Sequence, residues 1–328
     1  MTNYQKPVLR VKELNVDITT ELGTFKVLRD ISFDLYPGET LGIVGESGSG
    51  KTVTCLSLLK LLTTPPVVYR SGVVEYRGKD LWKMAESELK NIRGRNIAII
   101  FQEVLSALNP VIKVGEQIGE VFTNHFGLTK RESEKRVTML LEKVGIPDPS
   151  KRYHQYLHQL SGGLQQRIMF AMALAGDPSV LIADEPTTAL DVTIQLQILE
   201  LLKELQRDSG MSIIFISHDL GVIAEVCQRV IVMYAGSIVE TGTVNEIFSN
   251  PQHPYTRLLL QTIPGLEKQR GEFIPIAGQV PSLHNVPAGC SFHPRCPEVF
   301  QKCLDEPHLS RINSGQFVSC WRRFEEHC

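Results

Sequence analysis

A glycine-rich segment near residue 50 has the residue types and spacing needed to bind phosphate. It matches the pattern G-x-x-x-x-G-K-[ST] at every fixed position, and its residues are Gly45, Glu46, Ser47, Gly48, Ser49, Gly50, Lys51 and Thr52. The glycines let the backbone curl so that its N–H groups face one anion. Lys51 is then placed to reach the β- and γ-phosphates, and the Thr52 hydroxyl to hold Mg²⁺. The sequence therefore predicts a nucleoside triphosphate site.

The flanking residues favour this interpretation over a Gly/Ser-rich turn with a chance lysine. The apolar run Thr40–Val44 predicts a buried strand before the loop, and residues 53–62 predict a helix after it. A helix that begins at the loop adds partial positive charge at the same place.

Two acids end a second apolar run, Val180–Ala183. Asp184 is expected to meet the Mg²⁺ shell, and Glu185 to polarise a water in line with the γ-phosphorus. Ligands bind beyond the carboxyl ends of strands in parallel sheets, which supports this role. The alternative is a solvated strand end.

A second helix start with paired glycines precedes that run. Its residues are Leu160, Ser161, Gly162 and Gly163, and a helix is predicted from Leu164 to Ala175. A chain with one phosphate loop does not need a second anion site for its own nucleotide. The pair is therefore either a flexible cap or a site for the nucleotide of a neighbouring subunit.

Composition limits the remaining possibilities. The chain has 328 residues with 34 Lys and Arg against 36 Asp and Glu, a net charge of −2. This balance gives no support for a nucleic-acid partner. No apolar stretch approaches the ~18 residues that span a bilayer, and the first residues lack a signal-peptide core. We expect a cytoplasmic protein that contacts a membrane only through partners.

The predicted elements indicate an α/β fold. Residues 8–34 alternate as antiparallel strands, 110–178 are mainly helical, and buried strands at 97–101, 180–183 and 212–217 alternate with helices. Such alternation predicts a mainly parallel, doubly wound sheet. The helix predicted over 193–207 carries an apolar stripe at Leu196, Leu199 and Leu202. After Pro264 periodicity is lost, which places a domain boundary there.

The ordered motif set resembles the ATPase subunit of an ATP-binding-cassette transporter over residues 8–264. The residues that carry the resemblance are Gly45 to Thr52, Gln102, Leu160 to Gly163, Asp184-Glu185, Ala189-Leu190-Asp191 and His218. It implies a domain of residues 1–264 with a phosphate-loop core sheet, an antiparallel β subdomain and a helical subdomain at about 110–178. Residues 265–328 would form a small irregular Cys-rich domain.

The resemblance also implies roles. Two cassettes would pair head to tail around two ATP molecules, with Ser161, Gly162 and Gly163 of one closing on the γ-phosphate held by the other. Glu185 would be the general base. Gln102 would sense Mg²⁺ and water, so that the Mg²⁺ shell is Thr52, Gln102 and Asp184. His218 would contact the γ-phosphate, and Asp191 would couple the two sites.

The sequence departs from the family pattern at three places. Leu164 stands where Gln is usual, and Glu103-Val104 where the importer branch has Asp-Pro in a loop facing the permease. Ile18 stands where an aromatic residue usually stacks on adenine, and Phe25 is a candidate substitute. Base recognition is therefore less well defined than phosphate binding.

Three further segments resemble dipeptide and oligopeptide importer ATPases: Phe101–Pro110, Ile182–Gln195 and His253–Thr256. This branch implies a second cassette (a paralogue or a copy of the chain), two membrane permease subunits and an extracytoplasmic peptide-binding protein. The chain would then lie on the cytoplasmic face of the membrane. Importers of nickel or other small solutes share much of the pattern and stay open as alternatives.

Two other classes compete with an importer subunit. Soluble ABC proteins of translation need two phosphate loops, and this sequence has one. ABC proteins of DNA repair carry a long coiled-coil insertion, and no such insertion interrupts this sequence. A redox regulator built on the C-terminal cysteines would leave the ATPase motifs without a purpose.

Five of the seven cysteines lie in the last 39 residues. Such crowding in a reducing compartment indicates metal or redox chemistry. Cys290, Cys296, Cys303 and Cys320 resemble the C-terminal motif of peptide-importer ATPases, which implies four thiolate ligands for a [4Fe–4S] cluster. A Cys₄ zinc site is the main alternative, followed by free thiols. Cys328 is expected to be a free thiol.

Overall fold

The computed structural model describes residues 6–103, 107–188, 191–262 and 276–324. The chain divides into two compact units. The first contains Tyr36–Glu39 and Lys83–Ile214, with the N-terminal residues up to Val8. The second contains Leu9–Leu35, Thr40–Trp82 and Phe215–Cys328. The predicted boundary near Pro264 lies outside the described residues.

Strands and helices alternate through much of the described chain. The strands are β1 (Leu9–Thr20), β2 (Gly23–Leu35), β3 (Thr40–Val44), β4 (Val67–Tyr76), β5 (Lys79–Asp80), β6 (Ile97–Ile100), β7 (Val180–Asp184), β8 (Ser212–Ile216), β9 (Arg229–Tyr234), β10 (Ser237–Thr243), β11 (Ser310–Arg311) and β12 (Phe317–Val318). The α-helices are α1 (Lys51–Leu58), α2 (Glu86–Ile92), α3 (Val114–Phe126), α4 (Lys130–Lys143), α5 (Pro149–Tyr153), α6 (Gly162–Leu174), α7 (Val192–Ser209), α8 (Leu220–Val226), α9 (Val244–Ser249) and α10 (Pro254–Leu260).

In the first unit, β6 and β7 pair in parallel, with Ile97 opposite Val180. Every residue of β7 is buried, as expected for a strand covered on both faces. Helices α3 to α6 occupy residues 114–174. A capping box opens α4, where Thr129 accepts a hydrogen bond from the Glu132 N–H and Glu132 caps in return.

Helix α7 differs from the sequence-based interpretation. Leu199 and Leu202 are buried, but Leu196 is 50% exposed. The buried face instead continues through Ile198, Leu201 and Leu205. Leucine spacing alone could not distinguish these neighbouring faces, because the helix is rich in leucine and isoleucine on two sides. The predicted stripe was therefore wrong at Leu196.

In the second unit, β1 pairs antiparallel with β2 and with β4, as the alternation of residues 8–34 predicts. The strand β4 has 10 residues. The phosphate-loop strand β3 pairs in parallel with β9, and β9 turns into β10 through Ala235-Gly236. Helix α1 begins two residues earlier and ends four residues earlier than predicted.

The C-terminal residues continue the second unit. Strand β12 pairs with β10 and β11, and the other elements after residue 276 are short 3₁₀ helices at Leu283–Asn285, His293–Arg295, Gln301–Leu304 and Trp321–Arg323. Phe292 is fully buried, with ring centroids 5.2 Å from Tyr234 and 5.3 Å from Tyr255. This aromatic cluster adds to the apolar burial of the irregular segment, in which Val318 is also buried.

In the described parts of the chain, no helix combines the length and the apolar character that crossing a bilayer requires.

His253 lies beside Phe292 of the aromatic cluster and is 1% exposed. Its Nδ1 accepts a hydrogen bond of 3.0 Å from the Tyr255 N–H at the start of α10. Burial, with smaller contributions from Arg257 and Arg323, lowers the pKa of His253 from 6.5 to about 3, against a hydrogen bond to Ser319 that raises it. The native chain therefore holds a neutral imidazole at physiological pH.

We expect the free energy of unfolding to fall as pH falls below 6.5, because the unfolded chain then binds a proton at His253 that the native chain does not accept until about pH 3. The loss attributable to this group is about 1.4 kcal/mol per pH unit. Urea denaturation at pH 7 and pH 5.5 measures it. His253→Gln should have a shallower pH slope than the parent, whereas the exposed His284→Gln should keep the parent slope. Equal slopes for His253→Gln and the parent would contradict the assignment.

Candidate functional site: a nucleotide-binding phosphate loop

The phosphate loop joins β3 to α1, as the sequence predicts. Gly45 has φ of 151°, and a Cβ there would overlap the Met233 carbonyl oxygen. Gly50 has φ of 102° and is the N-cap of α1. Only glycine adopts these conformations without strain, so the two glycines fix the path of the loop. Gly48, the third, also has a positive φ of 81°.

Lys51 is buried and folds back over this loop. Its Nζ donates to the Gly45 carbonyl oxygen at 2.7 Å and to the Glu46 carbonyl oxygen at 3.1 Å. The N-cap of α1 is a glycine, so the first N–H groups of the helix receive no side-chain cap. An ammonium group beside uncapped helix N–H groups is an arrangement that binds polyphosphate. Thr52, the expected Mg²⁺ ligand, is exposed at the first turn.

Glu46 is held by Tyr255 and Arg295, two residues for which the sequence predicted no role at the phosphate loop. Its N–H donates to the Tyr255 hydroxyl at 2.9 Å. Its carboxylate accepts from both terminal nitrogens of Arg295, each at 3.1 Å. The pattern G-x-x-x-x-G-K-[ST] leaves residue 46 unspecified, so no signal in the motif pointed to these partners.

Glu185 follows β7 in the first unit and has a positive φ of 47°. Its Oε2 accepts from Gln102 Nε2 at 3.1 Å and from the Thr188 hydroxyl at 2.9 Å. Asp184 is buried at the end of the strand. The structure therefore brings together Gln102 and Glu185, which are 83 residues apart in sequence, and adds Thr188 as an orienting partner that the sequence interpretation missed.

The Ser161-Gly162-Gly163 segment begins helix α6. Ser161 is its N-cap, and its side chain makes no capping hydrogen bond. Ser161 and Gly162 are exposed, and a Cβ at Gly162 would meet nothing within 4 Å. This helix start has room for an external group. Leu160, by contrast, is buried.

The residue after Leu164 carries an amide. Gln165 Nε2 donates to the Leu157 and Leu160 carbonyl oxygens at 3.0 and 3.1 Å. These bonds tie the segment before the glycines to the helix after them. A side-chain amide thus stabilises this turn even though Leu164 replaces the usual Gln.

The other predicted residues occupy element ends. Asp191 is the N-cap of α7 and accepts from the Ile194 N–H at 3.0 Å. His218 is exposed just after β8 in the second unit. Ala189, Leu190 and residues 104–106 of the loop after Gln102 lie outside the described residues.

Ile18 and Phe25, the candidates for contact with the base, are direct partners across β1 and β2. The Phe25 ring meets His284 edge-on, with centroids 4.3 Å apart and planes at 88°. His284 comes from the C-terminal segment and was not predicted. An aromatic pair therefore lies in this region although the usual position holds Ile18.

The four C-terminal cysteines line one small cavity together with Phe292 and Trp321. The members are Cys290, Cys296, Cys303 and Cys320, and none forms a disulfide. Burial, and secondarily the neighbouring thiols, raise the pKa of Cys290 and of Cys296 to about 11, against backbone hydrogen bonds that lower them. Across the described residues, no three His, Cys, Asp or Glu side chains are grouped as ligands of a single metal ion. Cys328 is outside those residues.

Comparison with known proteins gives two family matches. Residues 28–188 match the ABC transporter family, and residues 239–303 match the oligopeptide/dipeptide transporter C-terminal region. The dimeric structure of MJ0796, a bacterial ABC transporter cassette, aligns with a TM-score of 0.64 at 26% identity, over 72% of this chain and 98% of that one. CbiO1 from Clostridium perfringens, part of the ABC transporter complex cbiONQ, aligns with a TM-score of 0.64 at 28% identity, over 75% and 92%.

Similarity to curated proteins extends over nearly the whole chain. The dipeptide transport ATP-binding protein DppD of Bacillus subtilis is 49% identical over 96% of this chain and 94% of its own length. The oligopeptide transport ATP-binding protein OppD of the same organism is 49% identical over 96% and 88%. With the phosphate loop and the oriented Glu185, these matches show that the chain is an ATPase of the ABC transporter family, in the branch that carries the oligopeptide/dipeptide transporter C-terminal region.

Proposed function

We propose that the chain energises the import of dipeptides or oligopeptides. The 49% identity to DppD and OppD over 96% of the chain supports this substrate class. The C-terminal match supports it independently, because it lies outside the segment common to ABC transporters. The proposed partners are two membrane permease subunits, with a peptide-binding protein on the outer side, and the chain would sit on the cytoplasmic face of the membrane.

The proposed mechanism of ATP hydrolysis depends on Glu185 as the general base. Its carboxylate is oriented by Gln102 and Thr188, which is the support expected for a general base. Glu185 would accept a proton from the water that attacks the γ-phosphorus, while the bond to the ADP oxygen breaks. Thr52, Gln102 and Asp184 would hold Mg²⁺, which would supply positive charge against the phosphates. His218 would contact the γ-phosphate.

The cassette would work as a head-to-tail pair, with a paralogue or with a second copy. The exposed start of α6 at Ser161 and Gly162 supports this proposal, since the uncapped N–H groups are open to an external anion. That anion would be the γ-phosphate bound by Lys51 of the partner cassette. Asp191 would link the two sites. ATP binding then closes the pair and hydrolysis reopens it.

Glu185→Gln should lower ATP hydrolysis by about 100-fold or more, because it removes the proton acceptor, while ATP binding stays near the parent value. The measurements are phosphate release by the assembled transporter and equilibrium binding of ATP. Glu200→Gln on the exposed face of α7 is the matched control and should keep the parent rate. Parent-level hydrolysis by Glu185→Gln would show that another group is the base.

Peptide import is tested in cells that depend on this chain for uptake of a radiolabelled dipeptide. Lys51→Ala should abolish accumulation, since the β- and γ-phosphates lose their ammonium partner. The exposed Lys130→Ala should leave accumulation unchanged. Continued uptake with Lys51→Ala at normal membrane levels of the transporter would contradict the proposal.

We also propose that residues 265–328 bind a [4Fe–4S] cluster through Cys290, Cys296, Cys303 and Cys320. The four side chains share one cavity and are not oxidised to disulfides. The cysteine spacing lacks the tight C-x₂-C pairs that are common in zinc sites, which favours the cluster over zinc. Its role would be structural, because a bound cofactor ties together segments with little core of their own.

Cys303→Ser should remove the bound metal, because a buried hydroxyl does not replace a thiolate ligand. Anaerobic purification, visible absorption and iron, sulfide and zinc analysis measure the loss. Cys227→Ala, outside the tail, should keep the parent metal content. Stoichiometric zinc in a colourless parent protein would overturn the cluster in favour of Cys₄ zinc, and a parent without either metal would exclude both.

A further inference from the structure

Arg295 belongs to the C-terminal segment that carries Cys290, Cys296, Cys303 and Cys320, here called the cysteine segment. Its side chain ends at the phosphate loop. It closes the 3₁₀ helix His293–Arg295 and directly precedes Cys296. Backbone hydrogen bonds from His293 to Cys290 and from Cys296 to His293 make Cys290 to Cys296 one compact turn. The orientation of Arg295 is therefore set by the backbone between two cysteines.

The guanidinium group makes a bidentate ion pair with Glu46, at 3.1 Å for each oxygen. Arg295 is only 6% exposed and Glu46 27%. Nε of Arg295 also donates to the Ala277 carbonyl oxygen at 2.8 Å, and Nη1 to the Tyr234 hydroxyl at 3.2 Å. A pair this buried and this well coordinated is screened little by solvent.

Glu46 puts a negative charge within the loop that must bind a polyphosphate. Its own carbonyl oxygen accepts from Lys51 Nζ at 3.1 Å, so its backbone is part of the phosphate-binding surface. Without a cation beside it, the carboxylate would repel the β- and γ-phosphates and compete for Lys51. Arg295 neutralises this charge and holds both carboxylate oxygens in place.

We propose that Arg295 is a positioning residue for ATP binding: from within the cysteine segment, it sets the charge and conformation of the phosphate loop through Glu46. The cysteine segment thereby contributes to nucleotide affinity without contacting the nucleotide. This inference rests on the ATP-binding role of Lys51, and it adds a specific connection between the two chemical sites of the second unit.

Equilibrium binding of Mg²⁺–ATP to the full chain tests the proposal. Arg295→Ala should weaken binding by about tenfold, the effect of roughly 1.4 kcal/mol of uncompensated charge. The double variant Glu46→Ala/Arg295→Ala should bind within about threefold of Glu46→Ala alone, because no carboxylate is then left unpaired. Arg295→Lys keeps the charge but not the bidentate geometry and should fall between Arg295→Ala and the parent.

Arg311→Ala is the matched control in the same tail. Arg311 is exposed, and its side chain donates to the nearby Asn313 and Ser314 carbonyl oxygens, so parent affinity is expected. If the double variant binds Mg²⁺–ATP as Glu46→Ala alone does, and more tightly than Arg295→Ala, the loss of Arg295 does not act by unfolding the tail. Parent affinity in Arg295→Ala, or a double variant as weak as Arg295→Ala alone, would overturn the proposal. Absence of ATP binding by the parent chain would instead reject the nucleotide site itself.

Discussion

The conformation of the phosphate loop is the constraint on which the rest of the second unit depends. Gly45 and Gly50 have backbone angles that a residue with a Cβ rarely adopts, and Lys51 is held by the carbonyl oxygens of Gly45 and Glu46. The fold thereby fixes an ammonium group beside helix N–H groups that have no side-chain cap. Groups that the fold holds in place lower the conformational entropy cost of binding a polyphosphate.

Packing around the loop explains why the C-terminal segment belongs to the same unit. Tyr255 and Arg295 both bond to Glu46, and Phe292 packs on Tyr234 and Tyr255. The aromatic rings supply apolar burial, while the two polar groups satisfy a residue of the loop. Few regular elements are needed in this segment, because its contacts with β9 and α10 replace a core of its own.

The first unit holds a second set of ordered groups. Glu185 is oriented by Gln102 and Thr188, and the start of α6 leaves Ser161 and Gly162 open. The Glu185 carboxylate with its two partners suits proton transfer. The start of α6 suits binding of an anion that a partner holds. In the proposed head-to-tail pair, this chain would contribute to two nucleotide sites rather than to one.

The sequence by itself determined the phosphate loop, the buried strands, the ABC family and the peptide-importer branch. Each depends on local pattern: glycine spacing, apolar runs or side chains a few residues apart. Only the tertiary structure decided which face of α7 is buried, the partners of Glu46 and the orientation of Glu185. Glu46 and Arg295 are 249 residues apart, and a motif that leaves position 46 open carries no information about a contact of that range. Long-range pairing of polar groups depends on the packing of whole elements, which residue spacing does not specify.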